Sequence, residues 1–113
     1  MAAVSDHFSR SIPAVRATYD AILKASTSLG RVVVDPKKTS IHLVRTSAFA
    51  GISTRKTALI LTIKASARIR HARVVRAQQT SAHRWHMDVR LTAPTDVDGE
   101  IRRWLSAAYE LAA

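Results

Sequence analysis

Residues Arg84–Ile101 read RWHMDVRLTAPTDVDGEI, and two periods meet within them. In the first half Trp85, Met87, Val89 and Leu91 alternate with Arg84, His86, Asp88 and Arg90, the two-residue period of a strand with one apolar face. Pro94 then stops the strand. Thr95 followed by Asp98 forms a capping box in its weaker version, with Asp where Glu is usual. Asp96, Asp98 and Glu100 crowd the first turn that follows, where the helix dipole favours carboxylates. Val97, Ile101, Trp104 or Leu105, and Ala108 supply an apolar stripe at helical spacing. A half-buried strand running into an amphipathic helix points to an α+β chain.

The opposite end of the chain predicts a second helix. Ser11 or the residues just before it can cap it, and Pro13 falls in the first turn, where a missing N–H costs nothing. Val15, Tyr19, Ile22 and Ser26 or Leu29 recur at helical spacing until Gly30, and Arg16, Asp20 and Lys24 line the other face. From Arg31 the period changes to two. Val32–Val34 is a short β-branched run ended by the turn signal Asp35-Pro36. Thr39–Arg45 alternates, with Ile41 and Leu43 against Ser40 and His42. Phe49–Ser53 carries Gly51, which suggests a bulge or a close backbone approach. In Ala58–Ala65, Leu59, Leu61 and Ile63 alternate with Ile60, Thr62 and Lys64. Arg73–Ala77 reads as a strand or as part of a longer connection, and Gln78–Ala82 reads as a polar loop. The expected architecture is a largely antiparallel sheet of four to five strands, with the N- and C-terminal helices packed on one face. The other face, carrying Ser40, His42, Thr62, Lys64, Arg84, His86, Asp88 and Arg90, is expected to stay open and basic.

Charge is the second organising feature. Thirteen of the eighteen Lys and Arg lie between Arg31 and Arg90, where Asp35 and Asp88 are the only acids. A field this one-sided attracts polyanions whatever the fold. At 113 residues the chain is expected to form a single domain, 1–113, with enough core to need no staple. The absence of cysteine excludes disulfides, thiolate metal sites and cysteine nucleophiles, and suits a reducing cytoplasm. The opening MAAVSDHFSRS has no apolar signal-peptide core, and the longest apolar run, Ala58–Ile63, is far too short to span a bilayer. A basic cytoplasmic globule without a membrane segment is expected.

Four segments carry a resemblance: PKKTSIHLVR (Pro36–Arg45), AFAGISTRK (Ala48–Lys56), HMDVRLTAPTDVDGEI (His86–Ile101) and WLSAAY (Trp104–Tyr109). Together they resemble a bacterial and archaeal family known as domain of unknown function fifty-six fifty-five, over about Phe8 to Tyr109. The resemblance implies no activity. Its occasional fusion to nuclease-like modules implies a nucleic-acid setting, and it directs attention to Lys37, Lys38, Arg45, Phe49, Arg55, Lys56, His86 and Arg90. The arginine-rich stretch Arg68–Arg76 departs from the family pattern.

Two groups of cations stand out. Lys37, Lys38, Arg45, Arg55 and Lys56 flank the middle strands; the first two and Arg45 sit at opposite ends of one strand, roughly 20 Å apart. Such a spread suits phosphates along a strand better than one small anion. Arg68, Arg70, Arg73 and Arg76, with His71, have no acid near them in sequence, and arginine is the residue of choice for bidentate phosphate contact. Each group also reads as solvated turn or loop charge. Lys64, Arg84, His86 and Arg90 complete the set of candidate anion-binding residues.

Catalysis is the weaker expectation. His83 and His86 point to opposite faces of a strand and make a poor metal pair. His42 and His86 share the open face and could act as base and acid in metal-independent phosphodiester cleavage, provided their strands are neighbours. Carboxylates are too few for a metallonuclease, and no phosphate loop or Ser/His/Asp signature is present. No metal or cofactor is expected. The six aromatics, Phe8, Tyr19, Phe49, Trp85, Trp104 and Tyr109, fall mostly on apolar positions, so base stacking is not the expected mode. The leading expectation is noncatalytic binding of a polyanion, chiefly nucleic acid, through phosphate contacts. The alternatives are an accessory module for an acidic protein partner or for self-association, and a site for a small anionic ligand near Lys38, Arg45 and His86.

Overall fold

The computed structural model describes residues 3–113; the first two residues of the MAAVSDHFSRS opening lie outside it. Pro13 occupies the first turn of α1 (Pro13–Thr27), and Val15, Tyr19, Ile22 and Ser26 form its buried stripe. The expected cap does not form. Ile12 stands at the N-cap without a side-chain bond, and Ser11 instead donates its hydroxyl to the Arg55 carbonyl at 2.7 Å. That bond, with Ile12 N–H to Lys56 C=O at 2.8 Å, ties the helix entry to the sheet.

The sheet has six strands, not four to five: β1 (Val33–Pro36), β2 (Ile41–Val44), β3 (Ala48–Thr54), β4 (Leu59–Ala65), β5 (Val74–Ser81) and β6 (Arg84–Leu91). All neighbours are antiparallel, in the order β1-β2-β3-β4-β6-β5. The extra strand is β5, which takes in the Gln78–Ser81 stretch expected to be loop. Gln78, Gln79, Thr80 and Ser81 are exposed, so no apolar alternation marks the segment as a strand. Asp35 and Pro36 likewise belong to β1 rather than to a turn. As β1 is an edge strand, the missing N–H of Pro36 need not break a ladder. The irregularity expected at Gly51 lies earlier: Leu43 pairs with Ala50 and Val44 with Ala48, leaving Phe49 as a bulge residue.

One face of this sheet is apolar. Ile41, Leu43, Ile52, Leu59, Leu61, Ile63, Met87, Val89 and Leu91 are buried on it beneath α1 and α2 (Gly99–Leu111). From α2 come Ile101, Leu105, Ala108 and Tyr109, whose ring meets Phe49 edge-on at 5.2 Å. Asp98, not Thr95, is the N-cap of α2: its carboxylate accepts from Ile101 N–H at 3.1 Å. Pro94–Asp96 forms a single 3-10 turn ahead of it. Asp96 there accepts from the N–H groups of Thr92 (2.8 Å) and Ala93 (3.2 Å).

These two acids make an acid-sensitive joint. The Thr92 N–H, the Ala93 N–H and the Thr92 hydroxyl, with Arg73 nearby, hold the Asp96 carboxyl below its ordinary value; Ile101 N–H and Arg73 do the same for Asp98. Depressed carboxylates stabilise the fold above their unfolded-state values and cease to as pH falls through the folded ones. The melting temperature should therefore decline as pH drops below about 4. An Asp96→Asn variant should melt lower than wild type at neutral pH and show a shallower acid decline. A wild-type melting temperature flat from neutral pH to well below that range would contradict this account.

Candidate anion-binding face

Neither helix covers the second face of the sheet. The strand registers put Asp35, His42, Gly51, Thr62, Asp88 and Arg76 in one row across all six strands. A neighbouring row holds Lys64, His86 and Gln78, and another pairs Ile60 with Arg90. Arg84 lies on the same face at the start of β6. Four cations, Lys64, Arg76, Arg84 and Arg90, thus share this face with two carboxylates. Asp35 is paired with Lys37 at 2.8 Å, and Asp88 accepts the Thr62 hydroxyl at 2.6 Å.

The remaining candidates separate by location. Lys37, Lys38, Arg55 and Lys56 sit on the β1–β2 and β3–β4 turns, which the registers bring to one end of the sheet. Arg45 lies at the other end and is engaged with α2. Its guanidinium rests 4.3 Å from the Tyr109 ring centroid, donates to the Tyr109 carbonyl at 3.1 Å and stands 3.9 Å from Glu110. Phe49, drawn in by the family resemblance, is buried against Tyr109 and belongs to the core.

The arginine-rich connection between β4 and β5 crosses β6 on the helix side. Ile69 packs against the core, and His71 meets Trp104 edge-on while its Nε2 lies 2.6 Å from Glu100. Acids absent from the local sequence are therefore close in space. Arg73 pairs with Asp98 at 3.0 Å and donates to the Asp96 carbonyl, which makes it a brace between β5 and the α2 entry. Arg68 and Arg70 are exposed, and with Arg76 they line one recess of about 260 Å³ at the start of β5, with no carboxylate in its lining. Arg76 connects this recess to the uncovered face.

His42 and His86 do not form a neighbouring pair. β3 and β4 lie between their strands, a separation of roughly 14 Å at the usual strand spacing. A direct acid–base couple across one scissile bond does not follow from that geometry. Among the described residues no group of three or more His, Cys, Asp or Glu could hold a metal ion, and no helix is long and apolar enough to cross a membrane. All six aromatic rings belong to the helix side: Phe8 packs on Tyr19 at 5.2 Å, Phe49 on Tyr109 and Trp104 on His71, while Trp85 packs against the core.

No curated protein and no solved structure matches the chain. A family model does, over residues 4–112, nearly the full length, and the chain therefore belongs to the family described as Domain of unknown function (DUF5655).

Proposed function

We propose that this domain binds nucleic acid without catalysis, through phosphate contacts made by the uncovered sheet face and the recess beside β5. One observation carries the reading: Lys64, Arg76, Arg84 and Arg90 share a layer that no helix covers, and its two carboxylates are already engaged. Arg68 and Arg70 extend that surface around the edge of β5. Contacts of this kind position a strand and carry little sequence information. With no aromatic ring on this face, stacking on bases is not part of the mode.

Neutralising about five phosphates gives a slope of roughly −4 to −5 in log K against log salt on duplex DNA. Fluorescence anisotropy with duplex DNA, duplex RNA and single strands at several salt concentrations measures it. An Arg84→Ala, Arg90→Ala variant should weaken binding evenly across sequences and make the slope shallower by about 2. A flat salt response, or no binding at low salt, removes the reading.

A further inference from the structure

Gly51 stands in the middle of β3, where a glycine weakens a strand by leaving nothing to pack and more freedom to lose. The fold does not require it. A Cβ at this position would meet His42 Cδ2 at 3.8 Å and Thr62 Cβ at 3.9 Å, ordinary van der Waals contact, and only Gly30 has a positive φ among the described residues. The missing side chain instead leaves the floor of a concavity of about 270 Å³ in the uncovered face. Ser40, His42, Ser53, Thr62, Lys64 and His86 line it, with strand residues 48–50 completing the wall. The bulge at Phe49 bends β3 at this wall, a device that re-aims strands beside sites.

The lining selects for negative charge. It contains a lysine, two imidazoles and three hydroxyls, and no carboxylate. Lys64 faces His86 directly across the β4–β6 pair, so an ammonium and an imidazole stand side by side at one edge of the concavity. Lys64 Nζ donates one bond to Ser47 Oγ at 2.9 Å, which holds the ammonium and leaves donors free. The Thr62 hydroxyl is spent on Asp88, which leaves the His86 imidazole as the side-chain donor beside Lys64.

We infer that this concavity is a binding site for a single oxyanion of the phosphate class, with Lys64 as its charge partner and His86, directly across the β4–β6 pair from it, as a hydrogen-bond donor. Its volume falls just under the ~300 Å³ at which pockets for drug-sized ligands begin, so the occupant is a phosphate group with little attached. The group can be the terminal phosphate of a strand or a free phosphate ester. The site goes beyond the backbone contacts proposed above and shares only Lys64 with them.

The test titrates the full chain with inorganic phosphate at constant ionic strength, followed by amide NMR shifts. In the wild type the amides of Gly51, Thr62 and His86 should shift saturably. Gly51→Val fills the floor while keeping every cation. It should raise the phosphate Kd at least tenfold with a melting temperature at or above that of wild type. Gly51→Ala, whose Cβ has room, and Lys64→Met provide second variants, each weakening phosphate. A duplex with and without a 5′-phosphate separates the sources: preference for the phosphorylated duplex assigns a strand end, and equal binding of the two beside saturable phosphate binding assigns a free ester. No saturable shift in the wild type, or unchanged phosphate affinity in folded Gly51→Val, overturns the site. Duplex binding that persists in that case leaves the nucleic-acid reading intact.

Discussion

Replacing Gly30 with alanine should cost about 3 kcal/mol of folding stability, the sum of backbone strain and overpacking. Gly30 has φ +150°, in the region that favours glycine, and a Cβ there would stand 2.5 Å from Tyr109 Oη and 3.3 Å from Tyr109 Cζ. The tyrosine cannot swing aside freely. Its hydroxyl donates to the Arg31 carbonyl at 2.9 Å, and its ring is held between Phe49 and Arg45. The contact joins the exit of α1 to the last turns of α2, so the damage should spread to the packing of both helices. Urea unfolding should show a lower midpoint, and the melting temperature should fall by roughly 10 °C or more. Tyr109→Phe alone should cost about 1 kcal/mol through the orphaned Arg31 carbonyl. Combined with Gly30→Ala it should recover part of the loss, since the clashing oxygen is gone. A Gly30→Ala protein within about 1 kcal/mol of wild type would show that the chain leaves this wedge at no cost, against the normal range for such strain.

Arg45→Ala should cost about 2 kcal/mol and leave duplex affinity unchanged within twofold. The loss combines a hydrogen bond from a charged donor, worth about 1.5–3 kcal/mol, with a ring contact of about 0.5–1, discounted for partial exposure. Around it the β2–β3 turn closes over the end of α2: Thr46 N–H and Ser47 N–H both reach the Ala112 carbonyl, at 3.1 and 3.4 Å. A cation at a helix C-terminus is favoured by the dipole as well. Arg45→Lys should restore less than half, because an ammonium cannot lie flat on the ring while bonding a carbonyl beside it. Thermal denaturation measures the loss, and anisotropy below the transition measures the affinity. A drop in affinity without a drop in stability would return Arg45 to the phosphate-contacting set.

Where one face of an element is buried and the other wet, the residues announced it. The alternations in β4 and β6 and the stripes of both helices match their buried faces residue for residue: Leu59, Leu61 and Ile63; Met87, Val89 and Leu91; Val15, Tyr19 and Ile22. Lys64, Arg84, His86 and Arg90 were placed on the uncovered face by the same parity. β5 was illegible because it is an edge strand exposed on both sides over its second half, and periodicity exists only where burial is unequal. The contacts of Arg45 and Arg73 were hidden for a different reason. Their partners, Tyr109 on α2 and Asp98 at its N-cap, are 64 and 25 residues away, and no local pattern reports a contact at that distance. Asp98 could have been distinguished from Thr95 as the cap only by knowing that Pro94–Asp96 closes a turn of its own. The concavity over Gly51 needed the order of the strands, since His42 and His86 share it only because β3 and β4 pass between them.

That order also sets a timetable for folding. β1 to β4 can zip in succession, each hairpin closing over a short turn, yet β4 then waits with a bare outer edge until Arg84–Leu91 exists, because β5 is synthesised first but pairs only with β6. A nascent chain at this stage carries an unsatisfied ladder beside Leu59, Leu61 and Ile63, whose cover in α2 is still unmade. Ribosomal stalling or premature termination before β6 should therefore yield a sticky, aggregation-prone fragment, whereas completion of the last thirty residues seals edge and core together.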